Sequence, residues 1–540
     1  MKHLTLKSFS TSCAFIFLSA MTFGQEPLCT WGESMENDKP DNKLSSFLGA
    51  DESGFYVKRE SGPVSDHYIW IEKYNNAFKK LYTKNITPAP GTFNDAQYYR
   101  SLIFGDGKFM VFAQTWKKTD AKSAFNVREV NLEGEVSEKI VELDNMPAEK
   151  QGKMGDYYVK LSNDKSKLLV LSQPGFDKGT MEKIKLKVFD AKTWKELWSK
   201  EIDFAVEAVR YPKNDIAIDN NGDAYLYKET KLDKGVFKRT LYTYNSSTSK
   251  LEEKNIDLGS NYAPHSDLRF NSKGDLILSG FYTHQNNMEM EGTFYFRIDS
   301  KTKAIAAQKT EPLAKDLLEN LMSAKEASKP NASIDNFKFL DILSRSDGSM
   351  LMIAEYITTD KSAVTGTGGA GVPPSYDYTY NSKDVVLICI GNDGNKLWNT
   401  VYKKTQSENT RREDRKFDSF VYGLFNDKFV IIWNNIDLNR SMIPAVMGVP
   451  AWKEADEVVH KKSVEFGTKA LYAPFMEIIE SNGEHKFKDL KFGLPLKKMH
   501  ESSPFEMGLN STIFLKTEDG LILYSEMADG KRVKFGKIKL

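Results

Sequence analysis

Seven charged side chains in this chain could meet and perform acid–base chemistry. They lie in or just after predicted connections between sheets, and they are Arg100, Arg210, His265, Asp267, Asp335, Arg415 and Asp418. Hydrolysis or elimination of a polysaccharide needs paired carboxylates, or a base beside a cation that stabilises negative charge. Because a chain of this size carries a similar set by chance, these residues are candidates for binding as well as for catalysis.

Aromatic side chains near the same connections favour a ligand with flat apolar faces. Tyr376 and Tyr378 alternate with polar residues, which is typical of either the start of a strand or a stacking surface for sugar rings. Trp452 ends the apolar run 442–452, which we expect either to pack over the centre of the fold or to contact a partner. The charged run 411–415 is either solvated and self-paired or a site for an anion or acidic glycan.

The sequence lacks the short motifs of several enzyme classes. It contains no G-x-S-x-G nucleophile elbow, no sialidase-type Asp-box series and no zinc motif. A non-catalytic binding or scaffold role is therefore the first hypothesis. The alternative is a carbohydrate-active enzyme, a polysaccharide hydrolase or lyase. We predict no metal site and no cofactor, and we expect a protein or a glycan as partner; the oligomeric state stays open.

The elements that must position these residues recur along the chain. Eight times an apolar β-type segment runs through a tight turn into a second one; the turns are 51–54, 105–107, 163–166, 220–223, 271–274, 346–348, 426–427 and 518–520. Their Asp, Asn and Gly residues accept the positive φ of hairpin turns. Repeats of roughly 40–50 residues are typical of radial folds, although the spacing here is somewhat longer. We predict an all-β chain, a single β-propeller of eight four-stranded blades, with seven blades as the alternative.

The connections of such a blade fall on two faces. The turns between strands one and two, and between strands three and four, share one face. The loops between strands two and three, and the crossings to the next blade, share the other, which we call the crossing face. All long insertions fall on the crossing face: 311–334, 359–382, 403–416, 436–470 and 491–510. Because loops on a rigid scaffold usually carry binding residues, we predict function on the crossing face of blades five to eight. Leucines at helical spacing in the first insertion predict one short helix.

Two stretches resemble a known repeat. Residues 189–198 read FDAKTWKELW and residues 391–398 read GNDGNKLW; each is similar to the D-A-x-T-G-K-x-x-W phrase of quinoprotein-like propeller repeats, a group that is typically eight-bladed. Trp194 stands where the phrase has Gly. The resemblance implies blade geometry only, because the chain lacks the paired adjacent cysteines of quinoprotein dehydrogenases.

The N-terminus predicts export from a bacterial cell. Residues 1–24 carry Lys2 and Lys7, a short apolar core and small residues before Gln25, the pattern of a secretory signal peptide. We therefore expect a periplasmic or extracellular protein. Without the signal peptide, 73 basic residues face 74 acidic ones, which argues against a nucleic-acid binder. No later apolar run is long enough for a transmembrane helix, so no integral membrane segment is expected.

The two ends of the mature chain are expected to meet. The last repeat supplies only three strands, so we predict that residues 25–46 add the missing outer strand and close the propeller of residues 47–540. Cys29 and Cys389 could form a disulfide in an exported protein. Cys389, however, lies in a strand pattern typical of a small core residue.

Overall fold

The computed structural model describes residues 29–37, 43–62, 68–87, 95–210, 212–232, 236–285, 287–364, 375–410, 415–436, 464–466, 472–488, 507–527 and 530–540. The predicted signal peptide, Trp452, most of the insertion 436–470 and most of 491–510 lie outside these residues. The central part of the insertion 359–382 and residues 411–414 also lie outside them.

Within the described residues the chain forms 35 strands in eight sheets. Two short N-terminal strands come first, β1 (Cys29–Trp31) and β2 (Met35–Glu36). Blade 1 contains β3 (Lys43–Asp51), β4 (Gly54–Ser61), β5 (Tyr68–Asn75) and β6 (Lys80–Asn85). Blade 2 contains β7 (Asp95–Gly105), β8 (Lys108–Lys117), β9 (Lys122–Val130) and β10 (Val136–Pro147). Blade 3 contains β11 (Asp156–Leu161), β12 (Lys167–Gln173), β13 (Met181–Asp190) and β14 (Glu196–Glu207). Blade 4 contains β15 (Lys213–Ile218), β16 (Ala224–Lys231), β17 (Phe237–Asn245) and β18 (Lys250–Asn255).

The second half of the chain repeats this plan with additions. Blade 5 contains β19 (Tyr262–Phe270), β20 (Leu276–Thr283), β21 (Gly292–Ile298) and β22 (Ile305–Pro312). Blade 6 contains β23 (Phe337–Ser344), β24 (Met350–Ala363), β25 (Tyr376–Ile390), β26 (Lys396–Tyr402) and β27 (Gln406–Thr410). Blade 7 contains β28 (Phe420–Phe425), β29 (Lys428–Ile436), β31 (Tyr472–Ile479) and β32 (His485–Lys488), while β30 (Val464–Phe466) joins blade 6. Blade 8 contains β33 (Met507–Thr517), β34 (Gly520–Met527) and β35 (Arg532–Lys539).

The turns predicted from the sequence join the first and second strands of all eight sheets. Asp106 and Gly107 have φ values of 50° and 68°, as both central residues of a type I′ hairpin require. Asn426 and Asp427 repeat this conformation in blade 7, with φ values of 49° and 61°. The composition of the turns is therefore explained by their backbone geometry.

Every pair of neighbouring sheets buries an apolar cluster, and eight such clusters form a closed series around the ring. The cluster between blades 8 and 1 joins the two ends of the chain: the ring of Phe535 lies 5.0 Å from that of Phe55 and 4.6 Å from that of Tyr74. Contacts between neighbouring first strands, such as β3 with β33 and β19 with β23, place those strands around the axis. The chain is a single eight-bladed β-propeller, as predicted.

The N-terminal strands lie on the outer edge of blade 8. Cys29 pairs with Ile538 in antiparallel register, and Met35 pairs with Val533. Between β1 and β35, the ammonium group of Lys534 also lies 4.5 Å from the ring centroid of Trp31. These contacts cover an edge that would otherwise expose unpaired backbone groups. Cys29 and Cys389 are both free, buried thiols, in two different apolar clusters.

The last tryptophan of each of the stretches 189–198 and 391–398 contacts the next blade. The indole nitrogen of Trp198 donates to the carbonyl oxygen of Gly222 at 2.9 Å, and Trp398 donates to that of Ser481 at the same distance. Trp194, at the Gly position of the phrase, has φ of 62°, a conformation that favours Gly. Its indole donates to a carboxylate oxygen of Glu129 at 2.7 Å, which helps to hold this backbone conformation.

Blade 6 departs most from the regular plan. Strands β24 and β25 continue into the insertion 359–382 as a long hairpin, whose end pairs with β27 rather than β26. The insertion 311–334 contains two short helices, α1 (Lys315–Glu319) and α2 (Ala324–Ala327), where the sequence predicts one. The helix is interrupted because Ser323 begins α2 with a capping box to Glu326. Among the described residues, no helix has the length and apolar character needed to cross a membrane.

Candidate functional site

Three aspartates lie at one level of the innermost strands in three consecutive blades. Asp215 in β15, Asp267 in β19 and Asp341 in β23 are each the third residue before the last paired residue of their strand. Tyr422 holds the equivalent position in β28 of blade 7. Because these strands surround the axis of the ring, the level faces the channel.

Two cations on innermost strands, Arg269 in β19 and Lys516 in β33, link these groups across blades 5 to 8. Arg269 Nε lies 2.7 Å from a carboxylate oxygen of Asp267, and its Nη2 lies 3.0 Å from one of Asp341. The second oxygen of Asp341 accepts from the hydroxyl of Tyr422 at 2.9 Å and lies 3.1 Å from Lys516 Nζ. Asp341 is therefore contacted from blades 5, 7 and 8. We call Asp215, Asp267, Arg269, Asp341, Tyr422 and Lys516 the channel cluster.

The channel cluster remains open to solvent. The side chains of Arg269 and Lys516 are 48% and 36% exposed, whereas that of Asp341 is 10% exposed. Asp341 directly follows an irregularity in strand register, between Phe339 and Asp341. Bulges of this kind redirect side chains and are common beside functional sites.

The environments of the carboxylates differ. Burial raises the pKa of Asp215; the ammonium group of Lys213 opposes this effect, and the nearby carboxylate of Asp267 adds to it. The carboxyl group of Asp215 makes no hydrogen bond or ion pair with another residue in the described part of the chain. Asp267, by contrast, is ion-paired with Arg269. The carboxyl groups of Asp215 and Asp267 thus lie near each other in different environments, one buried and the other ion-paired with an arginine, an arrangement that general acid–base chemistry can use.

The structure brings two of the predicted site residues into this region. Asp267 belongs to the channel cluster, and His265 lies two residues earlier on β19, with Nε2 3.2 Å from the carbonyl oxygen of Met288. Burial lowers the pKa of His265, so its imidazole favours the neutral form. Arg100 is bound to the side chain of Gln114, and Arg210 packs 5.9 Å from the ring centroid of Phe176. The last two arginines lie apart from the channel cluster, in blade 2 and before blade 4.

Arg415 and Asp418 are brought together in a second set of charges, between blades 6 and 7. Arg415 Nε lies 2.8 Å from Asp418 Oδ1, and Lys404 Nζ lies 2.6 Å from Glu355 Oε1. The side chains of Lys404, Glu355 and Asp418 are all fully buried. We call Glu355, Ser382, Lys404, Glu408, Arg415 and Asp418 the buried network.

The buried network fixes the crossing into blade 7. One carboxylate oxygen of Glu408 accepts from three successive backbone N–H groups, those of Lys416, Phe417 and Asp418, at 2.9, 2.8 and 3.1 Å. The hydroxyl of Ser382 donates to Asp418 Oδ2 at 2.5 Å. Even so, burial raises the pKa of Glu408 to about 7, and the neighbouring carboxylate of Asp418 contributes.

Three further predicted site residues, Tyr376, Tyr378 and Asp335, lie on the crossing face at blade 6. Tyr376 and Tyr378 belong to β25, and Lys361 Nζ lies 4.1 and 5.2 Å from their ring centroids. Tyr378 is only 9% exposed and stacks on Tyr380 with ring centroids 6.4 Å apart. Asp335 lines a cavity beside the helical insertion. Trp452 lies outside the described residues.

The sequence prediction missed Asp215, Arg269, Asp341, Tyr422 and Lys516, although the sequence contains a usable signal for the aspartates. Asp215, Asp267 and Asp341 each stand four residues before the residue whose backbone opens the turn: Asp219, Asn271 and Arg345. Aligning the repeats on these turns places the three aspartates in register. For Lys516, two residues beyond this level in blade 8, only the ring geometry reveals the contact with Asp341.

No protein-family model matches this chain, and no curated protein matches its sequence. Among solved structures it is similar to the β-propeller domain of the Trilobed protease from Pyrococcus furiosus, with 10% identity over 68% of this chain and 97% of that chain and a TM-score of 0.34. It is similar to the phage phi92 endosialidase, with 9% identity, coverage of 94% and 74%, and a TM-score of 0.33. The corresponding values for the endo-arabinase from Bacteroides thetaiotaomicron VPI-5482 are 11%, 51%, 94% and 0.24. At these TM-scores the likenesses carry no argument, and the fold rests on the strand pairings above.

Proposed function

We propose that this chain is an exported bacterial binding protein that takes a glycan into its channel, on the side formed by blades five to eight. The observation that supports this proposal is the channel cluster itself. Sugar hydroxyls both donate and accept hydrogen bonds, so they need a mixed array of partners. The carboxylates of Asp267 and Asp341 accept, while Arg269 and Lys516 donate.

Because the channel cluster is exposed, a ligand can form hydrogen bonds with its charged groups. Arg269 and Lys516 already meet solvent, so a hydroxyl group can join their hydrogen bonds without uncovering an unpaired buried charge. Tyr422 adds a phenol ring to the same level. Binding in the channel therefore needs little rearrangement of the blades.

A thermal-shift screen of residues 25–540 against neutral oligosaccharides tests the proposal. A ligand at 100 times its dissociation constant stabilises the folded state by about 2.7 kcal/mol, which is readily seen as a rise in Tm. We expect Asp341→Asn to abolish the shift. Asp203→Asn is the matched control, because Asp203 is an exposed, ion-paired aspartate on the outer strand of blade 3. Equal shifts in both variants, or none with the unaltered protein, would contradict the proposal.

Glycoside cleavage is the second candidate, supported by the raised pKa of Asp215 and by the nearby carboxylate of Asp267, which is ion-paired with Arg269. In that reaction Asp215 would donate a proton to the leaving oxygen, and Asp267 would act as base or stabilise positive charge. We expect Asp215→Asn to stop the release of reducing ends from a polysaccharide while oligosaccharide binding persists. If the unaltered protein binds oligosaccharides but releases no reducing ends, glycoside cleavage is excluded and the non-catalytic binding function stands.

A further inference from the structure

The buried network contains a lysine and a glutamate whose side chains meet in a site closed to water. Lys404 Nζ lies 2.6 Å from Glu355 Oε1, and both side chains are fully buried. Lys404 Nζ also lies 5.7 Å from the ring centroid of Phe420, which is buried too. Glu355 belongs to β24, and Lys404 stands between β26 and β27. The contact therefore joins the second strand of blade 6 to the chain segment that leads towards blade 7.

The hydrogen bonds at this contact are those that an amide group needs. Lys404 Nζ donates to Gln406 Oε1 at 2.7 Å, and Glu355 Oε2 accepts from the hydroxyl of Ser419 at 2.6 Å. Glu355 Oε1 accepts no hydrogen bond within the described residues, so the nearby Lys404 Nζ approaches it at an angle unsuited to one. A secondary amide has one N–H donor and one carbonyl acceptor. The site offers one partner to each of these and none to Oε1.

The surroundings favour uncharged forms of the two groups. Burial lowers the pKa of the Lys404 ammonium group, although the negative charge of Glu355 opposes this shift. Charged groups removed from water become neutral when their lost hydration is not replaced. Transfer of one proton from Lys404 Nζ to Glu355 Oε1 leaves an amine beside a carboxylic acid. A desolvated, neutral lysine is a nucleophile.

We propose that Lys404 and Glu355 condense into an intramolecular amide bond after the chain has folded. Lys404 Nζ attacks Glu355 Cδ, and negative charge develops on Oε2. The hydroxyl of Ser419 donates to Oε2, and Arg415 Nη2 lies 3.8 Å from it, so both groups stabilise this charge. Oε1 then leaves as water, with the proton it carries and one further proton from Nζ. An N–C bond replaces a C–O bond, and the reaction consumes no oxidant or cofactor.

The product fits the site without rearrangement. The N–H that remains on Lys404 Nζ donates to Gln406, and the carbonyl oxygen formed from Glu355 Oε2 accepts from Ser419. Both polar atoms of the buried amide thus keep a hydrogen-bond partner. The fold holds the reacting groups in contact, which makes the condensation effectively unimolecular. The bond links blade 6 covalently to the crossing into blade 7, and it does not depend on ligand binding in the channel.

Mass spectrometry of the denatured protein tests this assignment. The intact mass of residues 25–540 should be lower than the mass of their sequence by one water molecule. A tryptic digest should contain one branched peptide that joins Glu355 to Lys404. An intact mass equal to that of the sequence, or a loss of water that the digest places at other residues, would overturn the proposal. This measurement uses the unaltered protein, so it does not depend on the folding of a variant.

Two neighbouring lysines provide a matched pair of variants. Lys404→Met should have the full mass of its sequence, because the nucleophile is absent. Lys403→Met changes the adjacent, partly exposed lysine that pairs with Asp384, and it should still lose one water molecule. A loss of water that persists in Lys404→Met, or that disappears only in Lys403→Met, would contradict the assignment.

Discussion

Two sets of ionic groups lie on neighbouring strands of blade 6 and differ in their access to water. Asp341, on the innermost strand, belongs to the channel cluster, whose cations are about one third to one half exposed. Glu355, on the next strand, belongs to the buried network, in which Lys404 and Asp418 are also fully buried. Both sets combine acids and bases at similar distances, so exposure rather than contact geometry distinguishes them.

This difference separates a structural role from a binding role. A buried ion pair has been removed from water at a cost of several kcal/mol per ion, so each partner is committed to the other. A half-exposed pair keeps part of its hydration and contributes about 0–1 kcal/mol, so its groups can bind a ligand at little cost. The predicted residues Arg415 and Asp418 fall in the first class and Asp267 in the second.

The largest expected effect comes from breaking the buried network. Lys404→Met should lower the free energy of unfolding by about 3 kcal/mol, because it leaves the carboxylate of Glu355 buried without its main partner. The adjacent Lys403→Met is the matched control: its pair with Asp384 is 44% exposed at the lysine, so the loss should stay below about 1 kcal/mol. Urea unfolding measures both, and equal losses would remove the distinction between the two classes.

The network should also make stability depend on pH. The pKa of Glu408 is raised to about 7 by burial, above its value in the unfolded chain. The folded state therefore binds the carboxyl proton of Glu408 more tightly than the unfolded chain does. The contribution of this proton to the free energy of unfolding is lost as pH rises from about 4.5 to above 7. The size should be on the order of 2 kcal/mol. Urea unfolding at pH 5 and pH 8 should show a smaller difference in Glu408→Gln than in the unaltered protein; an unchanged difference would argue against titration of Glu408.

A smaller effect is expected from the channel cluster. Asp341→Asn keeps the shape of the side chain and leaves Arg269 and Lys516 accessible to water, so unfolding should become easier by only about 1 kcal/mol. The same substitution should abolish glycan binding, although it lowers the stability of the fold only slightly. A loss of stability as great as that in Lys404→Met would show that Asp341 is a structural residue.

The sequence predicts the repeating parts of this molecule better than its sites. The turns at 105–107 and 426–427 identify hairpins because their residues are selected by positive φ, a local property. Contacts such as Lys516 with Asp341 join residues 175 positions apart, and they depend on the closure of the ring. The sequence pattern also does not indicate burial. Asp267 and Asp418 both stand in or just after predicted connections between sheets, yet Asp267 is partly exposed and Asp418 is fully buried.

Salt provides the finest separation of the two sets. At 1 M salt the Debye length falls to about 3 Å, so interactions between exposed charges are screened, whereas those between buried charges are affected much less. A double-mutant cycle of Arg269→Ala and Asp267→Ala should give a coupling energy of a few tenths of a kcal/mol in low salt, and about zero in 1 M sodium chloride. The cycle of Lys404→Met and Glu355→Gln should retain its larger coupling energy under both conditions. If salt reduced both coupling energies equally, the buried network would have to be open to water.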